Sequence, residues 1–178
     1  MTKPANAPLT VSRPELLKNG SDNEFRRLVH NLFAFLGSHE TIRAGHAARV
    51  GLTAIEYTAL ISVAHLESET DVSVKNLAEH LHVSGAFVTT IVGKLMKKGF
   101  LSKEIDQTDR RRLCLTVTLK GEALLAELAP MQRQVNDIQF GCLTAREFDF
   151  LNQIVERLIP GGNQAIALQT YLAQHETR

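Results

Sequence analysis

The sequence lacks the features that mark disulfide-rich, secreted and membrane proteins. Its 178 residues include only two cysteines, Cys114 and Cys142, and these form no CxxC pair. A structural disulfide is therefore not expected. The chain also shows neither a signal sequence nor an apolar run long enough to cross a membrane. These absences predict a cytoplasmic protein with no membrane partner.

The signature motifs of common enzymes are missing as well. The sequence contains no HExxH, no GxSxG, no P-loop and no GxGxxG, so neither a metalloprotease nor a serine hydrolase nor a nucleotide-binding enzyme is indicated. Asp106 and Asp109 form a carboxylate pair, but they lie in an arginine-rich turn, where charge pairing is the simpler role. We therefore predict no catalytic residue, no metal site and no cofactor.

Net charge is nearly absent, whereas local charge is not. The formal charge is only +1 and the pI about 7.9, so the whole chain gives no indication of a nucleic-acid partner. Between Lys94 and Arg112, however, seven basic residues stand against three acidic ones. This surplus of four in one compact segment indicates an anionic partner.

The same region has the pattern of two helices joined by a tight turn. Ser73 can cap a short helix that ends near His80, and Ser84 can cap a second helix after the turn. In the second helix the apolar residues recur at i, i+3, i+4 and i+7, which indicates one buried face; they are Val88, Ile91, Val92 and Leu95. Gly99 is a natural end for this helix.

A β-hairpin is predicted directly after the second helix. Residues 100–105 and 113–117 can form two strands, and the polar turn between them carries three consecutive arginines. A helix, a turn, a second helix and a hairpin with a basic tip are typical of a winged helix. We predict DNA contacts from the exposed helix face and from the turn: Ser84, Gly85, Ala86, Thr89, Thr90, Lys94, Lys97, Asp109, Arg110, Arg111 and Arg112.

The run VSGAFVTTIVGKLMKKGFLSKEIDQTDRRRLCLTVTLKGEALL resembles the MarR family of bacterial transcriptional regulators. The wing pattern Asp106 to Arg111 is its most specific part, and the resemblance extends more loosely from Phe25 to Leu158. Thr90 stands where that family often has a basic residue. The resemblance implies that Arg110 or Arg111 enters the minor groove while Asp109 or Asp106 holds it.

The resemblance also implies an architecture and an activity. The fold would be mainly α with a small β-hairpin wing, a winged helix-turn-helix flanked by dimerisation helices. We expect a flexible arm over residues 1–20, an N-terminal dimerisation helix over 21–50, a DNA-binding lobe over 51–120 and C-terminal dimerisation helices over 121–178. The protein would be a homodimeric repressor, released from an inverted-repeat operator by a small molecule such as an aromatic acid or its CoA thioester.

Outside the lobe, helical periodicity and breaker residues predict the remaining elements. A long helix begins near Phe25, with Gly37 and Gly45 as candidate break points. Capping boxes open helices at Thr53 and Thr144. Pro130 is expected to kink or end the helix after the wing, where Leu124, Leu128, Met131 and Val135 form an apolar seam. Pro160-Gly161-Gly162 is expected to end the next helix before a last short one.

Two further groups of residues leave alternatives open. One is a set of basic side chains that can bind an anionic ligand or a metal, or can simply be exposed and locally bonded: His39, Arg43, His46 and His65. Cys142 precedes a helix start, which keeps a thiol-oxidation-sensing repressor as an alternative to the ligand-released one. A winged helix that binds protein instead of DNA is the second alternative.

Overall fold

The computed structural model describes residues 8–105 and 113–175, with the side chain of Ile105 outside the description. The chain is mainly helical with one two-stranded antiparallel hairpin, which confirms the expected fold class. The elements are α1 (Asn23–Arg49), α2 (Ala54–Leu66), α3 (Val74–Leu81), α4 (Gly85–Lys97), β1 (Leu101–Ile105), β2 (Leu113–Val117), α5 (Leu119–Phe140) and α6 (Ala145–His175). They fall into two compact units, Met1–Pro130 and Met131–Arg178.

Side-chain caps determine where the helices of the first unit begin. The Thr53 hydroxyl accepts a hydrogen bond from the backbone N–H of Glu56, whose carboxylate accepts one from the backbone N–H of Thr53 at 2.9 Å. Ser73 and Asn76 form the same reciprocal pair at the start of α3. These bonds satisfy amides that a helix start would otherwise leave free. The starts predicted from the sequence are therefore confirmed.

The turn between α3 and α4 depends on His82. Its φ of 53° places it in the left-handed region, where a non-glycine residue is uncommon. Its backbone N–H bonds to carbonyls of the last turn of α3. The chain then reverses into Ser84, whose hydroxyl accepts the N–H of Phe87 at 3.3 Å and opens α4.

The core of the first unit is formed by apolar faces of α2, α3 and α4 against β2. Val88, Ile91, Val92 and Leu95 are all buried, which confirms the periodicity read from α4. Each buried side chain of this size contributes about 1.5–3 kcal/mol relative to exposure. Leu115 of β2 is only 1% exposed, and its N–H donates to the carbonyl of Val72 at 2.7 Å. The hairpin is thus attached to the segment that precedes α3.

The hairpin has a defined register up to its tip. Leu101 pairs with Val117 and Ile105 with Leu113, and the hydroxyls of Ser102 and Thr116 lie 2.8 Å apart across the ladder. Gly121, two residues into α5, is required by close packing, since a Cβ there would lie 2.5 Å from the carbonyl oxygen of Phe100.

Helix α1 runs for 27 residues without a break at either Gly37 or Gly45. Before it, the chain makes defined contacts from residue 8 onward. Asp22 accepts hydrogen bonds from the backbone N–H and the hydroxyl of Thr10 and from Arg26. These bonds hold the pKa of Asp22 well below its usual value. The bond from Arg26 has the largest effect, and those from Thr10 follow. Residues 1–7 lie outside the described part of the chain.

Proline does not end α5 or α6. Helix α5 continues through Pro130, so the expectation that it ends there is wrong. The prediction that Pro160-Gly161-Gly162 ends a helix before a separate last one is also wrong, because α6 is a single element of 31 residues. A proline inside a helix destabilises it by about 3 kcal/mol and a glycine by about 1 kcal/mol, so neither residue alone must end the helix. Helix-compatible residues on both sides let the helix propagate past them.

No residue of α6 is buried in the single chain. Its start is nevertheless defined by the predicted capping box, in which Thr144 and Glu147 exchange hydrogen bonds. Among the described residues, no single helix is both long and apolar enough to cross a membrane, and α1 with α2 reaches that composition only as a pair bent by 90°.

Candidate nucleic-acid interface

The exposed face of α4 is the candidate surface for DNA. All seven of the α4 and cap residues predicted to contact DNA are exposed: Ser84, Gly85, Ala86, Thr89, Thr90, Lys94 and Lys97. The opposite face is the buried one already described, so the helix is held by its apolar side and offers small, hydroxyl and basic groups outward. A helix of this composition fits a major groove, where small residues permit close approach and lysines reach phosphates.

The two threonines on this face use their hydroxyl hydrogens within the helix. The hydroxyl of Thr89 donates to the carbonyl of Gly85 at 2.8 Å, and that of Thr90 donates to the carbonyl of Ala86 at 3.1 Å. A hydroxyl has only one hydrogen to donate. Toward a partner, each threonine therefore presents oxygen lone pairs and a methyl group.

The basic residues at the end of α4 have different roles. Within the described residues, Lys94 and Lys97 form no ion pair. Lys98 instead lies 3.0 Å from the carboxylate of Glu56, which is nearly buried. Burial of Glu56 favours its neutral form, but hydrogen bonds from Thr53 and Lys98 outweigh it, so the pKa of Glu56 is lowered. Lys98 is therefore a structural cation, although the local charge count included it.

Besides the Lys98–Glu56 ion pair, hydrogen bonds from Thr118 and Lys120 hold the C-terminal end of α4. Gly99 has a φ of 78°, which a glycine adopts without strain and which ends α4 as predicted. Lys120 donates to the carbonyl of Lys98 at 2.7 Å, and Thr118 donates to that of Gly99 at 2.6 Å. These bonds satisfy carbonyls that a helix end leaves free. The exit from the wing thus fixes the end of the recognition helix.

Three of the four predicted ligand residues lie together on α1. Arg43 forms an ion pair with Glu40 and donates to the hydroxyl of Thr58 on α2 at 2.6 Å. His46 is 5% exposed and packs against the ring of Tyr57, with 6.2 Å between ring centroids. Burial, and secondarily the charge of His39, lowers the pKa of His46. Within the described residues, Arg43 Nε and His46 Nε2 are buried without a hydrogen-bond partner.

His65 does not join this group. It lies seven residues after Thr58 on α2, a rise of about 10 Å along the helix, and its ring neighbours His80 of α3 at 6.4 Å between centroids. Among the described residues, no group of three or more histidine, cysteine, aspartate or glutamate side chains is arranged to hold a metal ion. Neither cysteine forms a disulfide within the described part of the chain, and Cys142 is exposed.

Comparisons with known proteins identify this arrangement. A model of the MarR family matches residues 50–112, which include α2, α3, α4 and the first hairpin strand, β1. The transcriptional repressor NicR of Pseudomonas putida is 25% identical over 164 residues, covering 92% of this chain and 97% of NicR. The chain is thus similar to transcriptional regulators of the MarR family, most directly over residues 50–112.

Solved structures of MarR-family regulators share the fold of this chain. A cysteine-to-serine mutant of E. coli MarR complexed with operator DNA superimposes with a TM-score of 0.59 at 18% identity, covering 76% of this chain and 96% of that one. BpsR of Bordetella bronchiseptica, a protein whose DNA binding is regulated by 6-hydroxynicotinic acid, gives a TM-score of 0.56 at 22% identity, covering 72% of this chain and 90% of BpsR.

The predicted wing-tip contacts lie outside the described residues. They are Asp109, Arg110, Arg111 and Arg112, together with the alternative Asp106. The strands on either side, β1 and β2, are described and paired as expected for a wing of this family. The role of the arginines therefore remains a prediction from the sequence.

The exposed aromatic residue of α4, Phe87, was not predicted as a contact. Phe87 is 42% exposed in the first turn of α4, beside Ala86 and one turn before Thr90. An aromatic residue in an apolar pattern is normally assigned to the core, which explains the omission. Its spacing is the signal that could have found it, since Phe87, Thr90 and Lys94 recur at i, i+3 and i+7 on the exposed face.

Proposed function

We propose that this chain is a homodimeric DNA-binding repressor of the MarR family that acts in the cytoplasm on an inverted-repeat operator and is released by a small anionic ligand. The exposed face of α4 is the observation that carries DNA binding. This face combines a capped N-terminus, small residues and two lysines, Lys94 and Lys97, that form no ion pair within the described residues. The complex of E. coli MarR with operator DNA supports the same use of the shared fold.

Salt dependence distinguishes DNA binding from the alternative of a protein-interaction module. Binding that neutralises phosphates releases counterions, so the logarithm of the affinity falls linearly with the logarithm of salt concentration. We expect a steep slope for a duplex selected from random sequence. The Arg110→Ala, Arg111→Ala double variant should weaken binding by about 1–3 kcal/mol. Wild-type affinity in that variant at moderate salt would contradict the wing assignment.

The dimer is proposed from apolar surface that the single chain leaves uncovered. In α1, Phe33 is 65% and Leu36 56% exposed, and in α6, Leu158 is 61% and Ile166 60% exposed. Monomeric proteins rarely expose such extended apolar stripes. The seam after the wing does not add to this argument as expected, since Leu128 is 2% exposed within the chain itself. The terminal helices α1 and α6 are therefore the proposed dimer surfaces.

Solution mass and footprinting test the dimer and its consequence for the operator. Two-fold symmetry would place two recognition helices about one duplex turn apart, roughly 34 Å, so each dimer should protect an inverted repeat with that spacing. A monomer at micromolar concentration that protects a single half-site would contradict the model. The variant Leu36→Glu should reduce the dimer fraction, whereas Ala34→Glu, at an exposed position on the opposite side of α1, serves as a matched charge control.

The ligand site is proposed at Arg43 and His46, with His39 beside them. Arg43 Nε and His46 Nε2 are buried N–H or lone-pair positions without partners among the described residues, and an unsatisfied buried polar group costs about 1–3 kcal/mol. A carboxylate can accept hydrogen bonds both from a guanidinium and from the N–H of a neutral imidazole. The regulation of BpsR by 6-hydroxynicotinic acid supports an aromatic acid as the ligand class.

Competition with DNA tests this site. Benzoate, salicylate and 6-hydroxynicotinate are titrated into the protein–duplex complex, and at least one is expected to release the duplex. Arg43→Gln should abolish release while keeping DNA binding. Arg27→Gln is the matched control, because Arg27 forms the same i, i+3 ion pair on α1, with Glu24, but is 69% exposed. Equal ligand response in the two variants would contradict the site.

A further inference from the structure

The outward face of α4 is poor in hydrogen-bond donors along most of its length. From Gly85 to Gly93, the only side chains with an N–H or O–H group are Thr89 and Thr90. Both hydroxyl hydrogens are donated to carbonyls four residues earlier. The first free side-chain donor after Ser84 is therefore Lys94, nearly three turns into the helix.

The same face also presents apolar groups to the surroundings. Phe87 is 42% exposed, and Ala86 and the two threonines add methyl groups. Burial of an aromatic ring is normally favourable, yet the ring of Phe87 stays partly in water, because Val88 and Ile91 occupy the core side of the helix. Such a ring contributes binding free energy only if a partner covers it.

Base pairs differ in what they offer to a surface of this kind. In the major groove guanine presents only acceptors, which require donors from the protein, whereas thymine presents a methyl group and adenine an N6 donor. A surface of methyl groups, one aromatic ring and oxygen lone pairs complements thymine methyls and amino groups. Between Ser84 and Lys94 it has no free side-chain donor for guanine.

We infer that α4 reads A·T base pairs through contacts of Phe87 and the Thr89 and Thr90 methyl groups with thymine methyls, an assignment that rests on the proposed DNA-binding function. Recognition then depends on shape and apolar contact in the first two turns, while the lysines of the last turn supply affinity. A threonine rather than a basic residue at position 90 is consistent with this separation of apolar base contacts from lysine contacts. A cation at that position would bind guanine or phosphate instead.

Thymine-to-uracil replacement tests the inference, because uracil keeps every hydrogen-bonding group of thymine and removes only the methyl. A duplex is first selected from random sequence with the full-length protein, and each thymine of a half-site is then replaced singly. Loss of one buried methyl should weaken binding about fourfold, as expected from roughly 0.8 kcal/mol per buried CH₂-sized group. At least one position should show this loss.

Protein variants identify the side chains that make the contact. Thr89→Ser and Thr90→Ser keep the hydroxyl and remove the methyl, and Phe87→Ala removes the ring. The uracil penalty should disappear in at least one of them and should persist in Lys94→Ala. If no uracil position weakens binding, or if all three variants keep the full penalty, the inference is overturned while DNA binding stands. If the wild-type chain selects no duplex at all, the proposed function itself fails.

Discussion

Alanine at Gly93 is expected to stabilise the protein and to weaken its binding to DNA. Gly93 lies in the interior of α4, where a glycine is about 1 kcal/mol less favourable than alanine. A Cβ built at this position meets no atom within 4 Å, so the fold itself does not require the glycine. Gly93→Ala should therefore raise the free energy of unfolding by about 1 kcal/mol, or the melting temperature by roughly 2–4 °C.

The loss of affinity has a separate physical cause. Gly93 follows Thr90 by one turn and precedes Lys97 by another, on the face that would approach the duplex. A methyl inserted into a close-packed contact costs about 1–3 kcal/mol, which corresponds to a roughly 5- to 150-fold weaker complex. Stability and affinity should thus change in opposite directions.

The measurements are thermal unfolding and titration of a labelled operator duplex at fixed salt. Gly45→Ala is the matched control: this glycine also lies in a helix, α1, with nothing within 4 Å of a Cβ. The control should gain the same stability and bind DNA as the wild type does. A Gly93→Ala protein with unchanged affinity would refute the assignment of this face to the duplex.

Three further predictions follow from the contacts of single side chains. Lys94→Ala should lower affinity for every duplex sequence and flatten the salt slope by about one unit; a change in base preference at one position would contradict its role as a phosphate contact. Lys98→Gln should reduce the free energy of unfolding by about 1–3 kcal/mol in chemical denaturation, because it leaves the buried carboxylate of Glu56 without its cation, whereas Lys97→Gln should not. Because the folded state lowers the pKa of His46 below 6.5, the unfolded chain takes up its proton first, so stability should fall as pH drops through 6.5, and His46→Gln should flatten that slope.

Local signals predicted the helix starts and the buried face of α4 correctly. The hydroxyl caps at Thr53, Ser73 and Ser84 act over three residues, and such short-range chemistry is legible in a sequence. The burial of one face of α4 follows from its periodicity in the same way. What these signals share is that the partner is a near neighbour in the chain.

Two kinds of feature were not predicted: contacts between residues far apart in the sequence, and outcomes set by a small difference between opposing free energies. Nothing in the sequence pairs Lys98 with Glu56, 42 residues earlier, so Lys98 was counted as free charge. The donation of the Thr89 hydroxyl to its own helix depends on a rotamer choice, which composition does not reveal. Helix α6 continues past Pro160 because the helix-forming residues on both sides outweigh the free-energy cost of the proline. A proline in the sequence indicates only that cost.

The 31 residues of α6 have a consequence for how the protein unfolds. At 1.5 Å per residue this helix is about 46 Å long, and none of its residues is buried in the single chain. A solitary helix is marginal in water, so α6 would owe its stability to a second copy. By mass action, each tenfold dilution would then cost the assembly about 1.4 kcal/mol. Apparent melting temperatures should fall with dilution, and the amide protons of α6 should exchange faster in dilute samples than those of α2.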